Sequence, residues 1–173
     1  VVQRGDTVAV MQRRASAVAE ELELTQHLGD VVDPQVAAAA VEGADTVIHL
    51  AARVGVVGTR RQFFDTNVVG TRVVLAAAKD AGVQRFVFVS SPSVAHTGRA
   101  LAGCGAQPAD PRHAKGEYSK SKALAEKEVL AADGTGITTI AVRPHLVWGP
   151  GDTQLVGRIV ERARQGRLAL VAG

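Results

Sequence analysis

The sequence has 173 residues, of which 46% are hydrophobic and 3% aromatic, so it carries enough aliphatic side chains for one sizeable core. Its 20 basic residues are balanced by 17 acidic ones, and the arginines are not gathered with aromatic side chains, which argues against nucleic-acid binding. No apolar run approaches the roughly 18 residues that a membrane span needs. The single cysteine, Cys104, can form no internal disulfide, and no cysteine and histidine cluster has metal-ligand spacing. We therefore expect one soluble, metal-free domain from a reducing compartment, the cytoplasm, although a targeting signal is left open because the chain starts at Val1.

Strands and helices alternate from the beginning of the chain. Residues 1–6 resemble the last turn of a helix that Gly5 stops. Asp33 stands before Pro34 as an N-cap residue would. The predicted elements of this part are strands at 7–11 and 22–28, a short alanine-rich helix between them, and a helix at 34–41.

The later elements continue the alternation. Residues 45–52 are almost wholly apolar, which is typical of a parallel strand covered on both faces. Residues 61–81 repeat apolar side chains at helical spacing. The further predicted elements are a buried strand at 85–91, a long loop at 92–115, a helix to about 132, a strand at 137–142, a turn-dense segment at 143–152, a helix at 153–165 and a strand at 168–171. Such an order predicts an open parallel sheet with helices on both faces.

Tyr118, the only tyrosine, stands four residues before Lys122 on one of these helices. Residues at this spacing share one helix face. An ammonium beside a phenol stabilises the phenolate and lowers its pKa, so the pair could exchange a proton with a substrate oxygen near neutral pH. The pair predicts acid/base chemistry on an alcohol or a ketone. The alternative is an ordinary helix surface on which the two residues meet by chance.

Six motifs follow one another along nearly the whole chain. They are Gly29-Asp30, His49-Leu50-Ala51-Ala52, Asn67-Val68-Val69-Gly70-Thr71, Ser90-Ser91, Tyr118 to Lys122, and Arg143-Pro144 to Gly149-Pro150-Gly151-Asp152. In this order and spacing they resemble the extended short-chain dehydrogenase/reductase family, also called the NAD-dependent epimerase/dehydratase family. The last motif looks most like the branch that contains 3β-hydroxysteroid dehydrogenases and decarboxylating sterol dehydrogenases.

The resemblance implies a Rossmann-type α/β fold, a doubly wound parallel sheet, over residues 1–152 and the start of a substrate-binding region over 153–173. The family's glycine-rich phosphate loop has no counterpart, so we expect an internal piece of a longer enzyme that lacks the first strand. In the strand order 3-2-1-4-5-6 that strand is central, so the strands at 7–11 and 22–28 should have no partner joining them to 45–52. The isolated polypeptide is then expected to aggregate or fold only in part, and to bind NAD(P)H poorly.

The resemblance also implies a catalytic set. Tyr118 would be the general acid/base, Lys122 would bind the nicotinamide ribose and lower the tyrosine pKa, and Ser91 would hydrogen-bond the substrate oxygen. Ser93 is a rival to Ser91. His49, inside an apolar strand, is expected to be a hydrogen-bonded core residue rather than a catalytic one.

A nicotinamide dinucleotide is the implied cofactor, with Asp30 at the adenine and Asn67 holding the active-site backbone. The implied cofactor-binding residues are Arg13, Asp30, Val31, Leu50, Ala51, Ala52, Asn67, Tyr118, Lys122, Pro144 and His145. After the first strand the chain offers Gln12, Arg13 and Arg14 where NAD-binding proteins usually have a carboxylate. Because a guanidinium suits a 2′-phosphate, we favour NADP(H).

The expected function is hydride transfer between nicotinamide and a secondary alcohol or ketone, with a sterol-like molecule as one candidate substrate. One alternative is epimerisation or dehydration of a nucleotide sugar. Another is a dinucleotide-binding sensor without turnover, although such proteins commonly lack the tyrosine or the lysine. The expected partners are a small-molecule substrate and a second copy in a homodimer, with no nucleic acid.

Overall fold

The computed structural model describes residues 2–55, 57–96, 103, 105–145, 147–149 and 156–167. The chain divides into two compact units, Val1–Arg143 and Pro144–Gly173. The strand predicted at 168–171 lies outside the described residues. In the described part, no helix is long and apolar enough to cross a bilayer, and no group of three or more His, Cys, Asp or Glu side chains could hold a metal ion.

The first unit begins with a small parallel sheet of two strands. Its elements are β1 (Ala9–Gln12), α1 (Ala17–Glu21), β2 (Thr25–Leu28) and α2 (Pro34–Val41). The Ser16 hydroxyl caps α1 through the amide of Ala19. The Asp33 carboxylate accepts from the amides of Gln35 and Val36, which confirms the predicted cap of α2. The second strand is shorter than predicted, because residues 22–24 leave α1 through Glu23, whose φ is 52°.

A second parallel sheet has three strands in the order β3-β4-β5. Its elements are β3 (Thr46–His49), α3 (Arg60–Phe64), α4 (Gly70–Asp80), β4 (Arg85–Val89), α5 (Glu117–Ala131) and β5 (Thr138–Val142). A π-helical turn, Asp65–Val69, joins α3 to α4 and interrupts the single helix predicted for residues 61–81. A 3₁₀ turn, Pro92–Ala95, follows β4 within the predicted long loop.

The core lies on one face of the second sheet. Phe86 and Phe88 of β4 are fully buried there against Val74 of α4 and Val129 of α5. The opposite face carries Ile48 of β3 and, on β5, Ile140 and Val142, all of which are exposed. Alternation along each strand therefore separates a packed face from an open apolar face.

The two sheets are separate, as the sequence predicts. Register pairs Ala9 with Thr25 in the first sheet and Thr46 with Arg85 in the second, and no described strand pairs β1 or β2 with β3. The helices α2 and α4 nevertheless pack against each other. One edge of β1 and one edge of β3 are consequently left without a strand partner among the described residues.

Two glycines allow close packing where β2 ends. A Cβ on Gly29 would lie 2.6 Å from Cγ2 of Val36, and a Cβ on Gly70 would lie 2.5 Å from Cγ1 of Val31. Non-bonded carbon atoms do not come this close. Val36 of α2 can therefore pack at position 29, and Val31 at position 70, only because both positions hold glycine. The second unit, considered by itself, contains α6 (Val156–Arg164), whose last turn carries two arginines.

Candidate active site

Tyr118 and Lys122 lie on the first turns of α5, which begins after Gly116 with φ of 83°. Lys122 is only 2% exposed. Its Nζ donates to the backbone oxygen of Val89 at 2.6 Å and lies 3.9 Å from the ring centroid of Phe88. Helix α5 therefore places the buried ammonium group of Lys122 at the carboxyl end of β4. Parallel sheets bind ligands at this edge.

The surroundings of Lys122 disfavour its charged form. Burial lowers the pKa of Lys122 to about 8, and the carboxylate of Glu126, one turn further along α5, opposes that shift. Glu126 is itself 1% exposed and forms an ion pair with Arg143, whose Nε donates to it at 3.0 Å. The Nη1 of Arg143 donates to the backbone oxygen of Gln107 at 2.7 Å. Helix α5, the end of β5 and the loop at Gln107 are therefore tied together.

Tyr118 is partly buried. Burial raises the pKa of its phenol, and hydrogen bonding to the Ser91 side chain offsets only part of that rise. The expected lowering of this pKa by Lys122 is thus wrong for this structure. The physical reason is that burial of the phenol outweighs the lowering influences on its pKa, while the Lys122 ammonium donates to the Val89 carbonyl.

Ser91 immediately follows β4 and caps the 3₁₀ turn behind it. Its Oγ accepts from the Ser93 amide at 3.3 Å and lies 2.9 Å from Oγ of Ser93. Of the two candidate serines, Ser91 is the one whose side chain affects the pKa of the Tyr118 phenol. The two hydroxyls nevertheless form one hydrogen-bonded pair beside the helix.

Asn67 lies in the π-helical turn and is 1% exposed. Its Oδ1 accepts from the Arg53 amide at 2.6 Å, and its Nδ2 donates to the Arg53 backbone oxygen at 3.1 Å and to Oγ of Ser121 at 2.9 Å. The Ser121 hydroxyl donates in turn to the backbone oxygen of Tyr118 at 2.8 Å. One amide side chain therefore holds the loop after β3 against the turn of α5 that carries the tyrosine.

His49 and Thr71 hold the backbone of the π-helical turn at Asn67. Nε2 of His49 lies 3.0 Å from Oγ1 of Thr71, which donates to the backbone oxygen of Asn67 at 2.7 Å. Burial and the charge of Lys122 lower the pKa of His49 to about 4, so the ring is neutral near pH 7. The expected core role of His49 agrees with this geometry. Sequence reasoning included Thr71 and Ser121 in its motifs but assigned no role to either residue.

The predicted adenosine-binding residues follow β1 and β2. Arg13 and Asp30 are exposed, and Oδ1 of Asp30 accepts from the amide of Val32 at 3.3 Å. Val31 instead packs into the core over Gly70, so only its backbone is at the strand end. The side chain of Gln12 points across the sheet to Gln26, at 2.7 Å.

The remaining predicted residues follow β3 and β5. Leu50 and Ala51 are exposed and Ala52 is partly buried, directly after the last residue of β3. Pro144 and His145 are exposed and are the first two residues of the second unit.

These groups fit a nicotinamide dinucleotide in their chemistry. Small residues after β3 leave backbone accessible. The ammonium of Lys122 has three N–H donors and uses one of them on Val89, which leaves donors for ribose hydroxyls. Lys122, Tyr118 and the backbone of residues 50–52 would hold the nicotinamide end.

Comparison with known sequences decides the family. The 3-beta hydroxysteroid dehydrogenase/isomerase family matches residues 5–173. The chain belongs to this family. The resemblance drawn from the six motifs is thereby confirmed.

Several characterised relatives match this chain over about half of their own sequence. The 2-alkyl-3-oxoalkanoate reductase of Stenotrophomonas maltophilia is 41% identical over 173 residues, which are 99% of this chain and 52% of the reductase. The 3 beta-hydroxysteroid dehydrogenase/Delta 5-->4-isomerase of Mycobacterium tuberculosis is 35% identical over 181 residues, which are 100% of this chain and 49% of that enzyme. The chain thus spans about half the length of the curated relatives it matches.

Solved structures confirm the Rossmann-type fold. The UDP-glucose 4-epimerase of Thermus thermophilus, solved with NAD, superposes with a TM-score of 0.79 at 26% identity, over 95% of this chain and 57% of the epimerase. The RMD protein of Pseudomonas aeruginosa, solved with NADPH, gives a TM-score of 0.67 at 27% identity, over 83% of this chain and 52% of that protein.

Proposed function

We propose that this chain carries the catalytic side of an NAD(P)-dependent oxidoreductase that transfers hydride between nicotinamide and a secondary alcohol or ketone. The observation that carries the proposal is the cluster of Tyr118, Ser91 and the buried Lys122 at the carboxyl end of β4. The family membership and the reductase and dehydrogenase names of the relatives support it.

A nicotinamide held by Lys122, Tyr118 and the backbone of residues 50–52 would supply or accept the hydride at the substrate carbon. The Tyr118 phenol donates its proton to the carbonyl oxygen during reduction, and in the reverse direction the phenolate takes the hydroxyl proton. Ser91 holds the same oxygen by a hydrogen bond. The pKa of Tyr118 is raised by burial, so the phenol is protonated at neutral pH, which is the state that donates a proton in the reduction direction.

Replacement of Tyr118 by phenylalanine tests this proposal. General acid/base groups contribute about 10²–10⁴-fold, so we expect Tyr118→Phe to lower kcat of the complete protein by that factor. Cofactor affinity, measured by fluorescence titration, should stay within about threefold, because the phenol is only one of several groups that would hold the dinucleotide. Lys120→Gln, on the exposed side of the same helix, should leave kcat unchanged. Retention of a tenth or more of kcat in Tyr118→Phe would contradict the assignment.

We further propose that the cofactor is NADP(H). Arg13 is exposed directly after β1 and has no ion-pair partner among the described residues. A guanidinium in that place suits a 2′-phosphate, which NAD(H) lacks.

Two substrate classes follow from the relatives, a 2-alkyl-3-oxo acid and a 3β-hydroxysteroid. The higher identity to the oxo-acid reductase favours the first. Epimerisation of a nucleotide sugar is less supported, because the epimerase neighbour is 26% identical. The retention of both Tyr118 and Lys122 speaks against a sensor without turnover. Assembly as a homodimer, a cytoplasmic location and the behaviour of the isolated polypeptide stay predictions.

A further inference from the structure

Arg53 lies on the loop after β3, beside the catalytic cluster. Its backbone amide and carbonyl are both bonded to Asn67, whose Nδ2 also reaches Ser121 on α5. Because Ser121 is bonded to the backbone of Tyr118, one amide and one hydroxyl separate the backbone of Arg53 from the turn that carries the phenol. The position of Arg53 is therefore fixed by the same contacts that fix the active site.

The guanidinium of Arg53 is held in place but incompletely satisfied. Its Cζ lies 5.5 Å from the ring centroid of the buried Phe63, and its Nη2 donates to the backbone oxygen of Val57 over a long 3.5 Å. Its Nε is buried and has no hydrogen-bond partner among the described residues. An arginine has five N–H donors, so most of them are unused here.

Arg53 also lacks a counter-charge. Within the described part of the chain no carboxylate lies within 4 Å of its guanidinium, whereas Arg72 is paired with Glu128 and Arg143 with Glu126. A partly buried cation with neither an acid nor a full set of acceptors is unusual for a residue that serves only stability.

The loop makes room for this guanidinium. A Cβ on Gly58 would lie 2.8 Å from Nε and 3.0 Å from Nη2 of Arg53, and 3.0 Å from Cε2 of Phe63. Gly58 also has φ of 148°, a conformation that other residues rarely adopt. A side chain at position 58 would collide with the guanidinium, so glycine allows Arg53 its observed position.

We propose that Arg53 binds the carboxylate of the substrate. Because Nε is buried, the fork available to a ligand is the pair of Nη groups, whose N–H groups can donate two parallel hydrogen bonds to a carboxylate. The inference rests on the proposed function and narrows its substrate class to hydroxy or oxo acids, with the reacting carbon at Tyr118 and the acid group on Arg53. A neutral sterol offers no partner to this cation.

The test compares an acid with its ester in the oxidation direction, where the substrate is stable. The complete protein is assayed with a 2-alkyl-3-hydroxy acid and with its methyl ester, by the absorbance of NADPH formed. For the acid, Arg53→Gln should lower kcat/KM about 100-fold, mainly through KM, because a charge-assisted pair is lost. For the ester, kcat/KM should change less than about threefold. Arg53→Lys should give an intermediate loss with the acid, since it keeps the charge but not the fork.

Arg61→Gln is the matched control, because Arg61 is exposed and lies 3.5 Å from Asp65 across one turn of helix. It should change kcat/KM for neither the acid nor the ester. Equal losses with acid and ester in Arg53→Gln would overturn the proposal and leave Arg53 a structural residue. Oxidation of a 3β-hydroxysteroid without oxidation of the acid would overturn it while leaving the proposed function intact. Calorimetric binding of the acid that depends on Arg53, without turnover of any alcohol, would support the site and overturn the proposed function.

Discussion

The turn of α5 that carries Tyr118 is held by buried hydrogen bonds, whereas the ends of β1 and β2 present exposed side chains. Around the tyrosine, Asn67, Thr71 and Ser121 are almost fully buried and bonded to one another or to the backbone. At the other end of the site, Arg13 and Asp30 are exposed, and the carboxylate of Asp30 accepts from a nearby amide.

This difference suits the two roles that we propose for these regions. Proton transfer needs groups fixed to within a fraction of an ångström, and a buried network supplies that rigidity at low dielectric. Recognition of the adenosine end needs hydrogen bonds and charge but no such accuracy. Substitutions in the first region should therefore change kcat and stability, and substitutions in the second should change only cofactor preference.

Asn67→Ala should have the largest effect of these substitutions, on both stability and kcat. It removes three hydrogen bonds and leaves the buried hydroxyl of Ser121 with one partner fewer. We expect the free energy of unfolding to fall by about 3 kcal/mol, because buried polar groups without partners cost about 1–3 kcal/mol each. We also expect kcat to fall about 100-fold through displacement of Tyr118. Urea denaturation and steady-state kinetics of the complete protein measure the two effects.

The control for this substitution is Thr66→Ala, one residue earlier in the π-helical turn, where the side chain makes no hydrogen bond among the described residues. It should leave both quantities nearly unchanged. Loss of stability in Asn67→Ala without loss of kcat would show that the network does not position the catalytic tyrosine.

His49 should make stability depend on pH. Its pKa is about 4 in the folded protein against 6.5 as the ordinary value, so between these pH values the unfolded chain binds the extra proton. The free energy of unfolding is not reduced by this group above pH 6.5. As the pH drops to about 4, it falls by about 3 kcal/mol in total. In His49→Asn this part of the pH dependence should vanish. Thermal unfolding at about pH 4.5 and about pH 7 measures it.

The matched control is His113→Asn, which replaces an exposed histidine on a turn beside Asp110. This variant should retain the acid-induced loss of stability. An unchanged pH dependence in His49→Asn would mean that His49 does not become protonated on unfolding in this range.

Arg13→Gln should have the smallest effect, which is confined to cofactor preference. If the guanidinium binds a 2′-phosphate, KM for NADPH should rise about tenfold, while KM for NADH and the unfolding free energy stay constant. Steady-state kinetics with both cofactors measure the ratio. Arg4→Gln, an exposed arginine paired with Asp6, is the control. A wild-type protein that uses NADH as well as NADPH would contradict the NADP(H) proposal.

Local signals in the sequence predicted much of the fold and the central pair of the site. The cap at Asp33, the spacing of Tyr118 and Lys122 and the separation of the two sheets all follow from patterns of a few residues or from strand order. The π-helical turn could not be found this way, because the apolar repeat of residues 61–81 tolerates one extra residue without losing its burial pattern.

Contacts between distant residues account for what was missed. His49 and Thr71 are 22 positions apart, and no local pattern relates their side chains. The predicted direction of the Tyr118 pKa shift was wrong because burial of the phenol raises that pKa, and burial depends on contacts with distant residues. Val31 likewise has an apolar side chain that could line a ligand site or a core, and the close approach of Gly70 places it in the core.

The ion pair between Glu126 and Arg143 bears on how this protein could be recombined with its relatives. Arg143 is the last residue of the first unit, and it is bonded to the helix that carries Lys122 and to the loop at Gln107. A chimaera joined after Arg143 would keep this pair and could exchange the following segment as a module. A junction placed before Arg143 would risk leaving the buried carboxylate of Glu126, one turn from Lys122, without its partner. A graft that begins at Pro144 would keep this ion pair, but it would also replace Pro144 and His145, which are predicted to bind the cofactor.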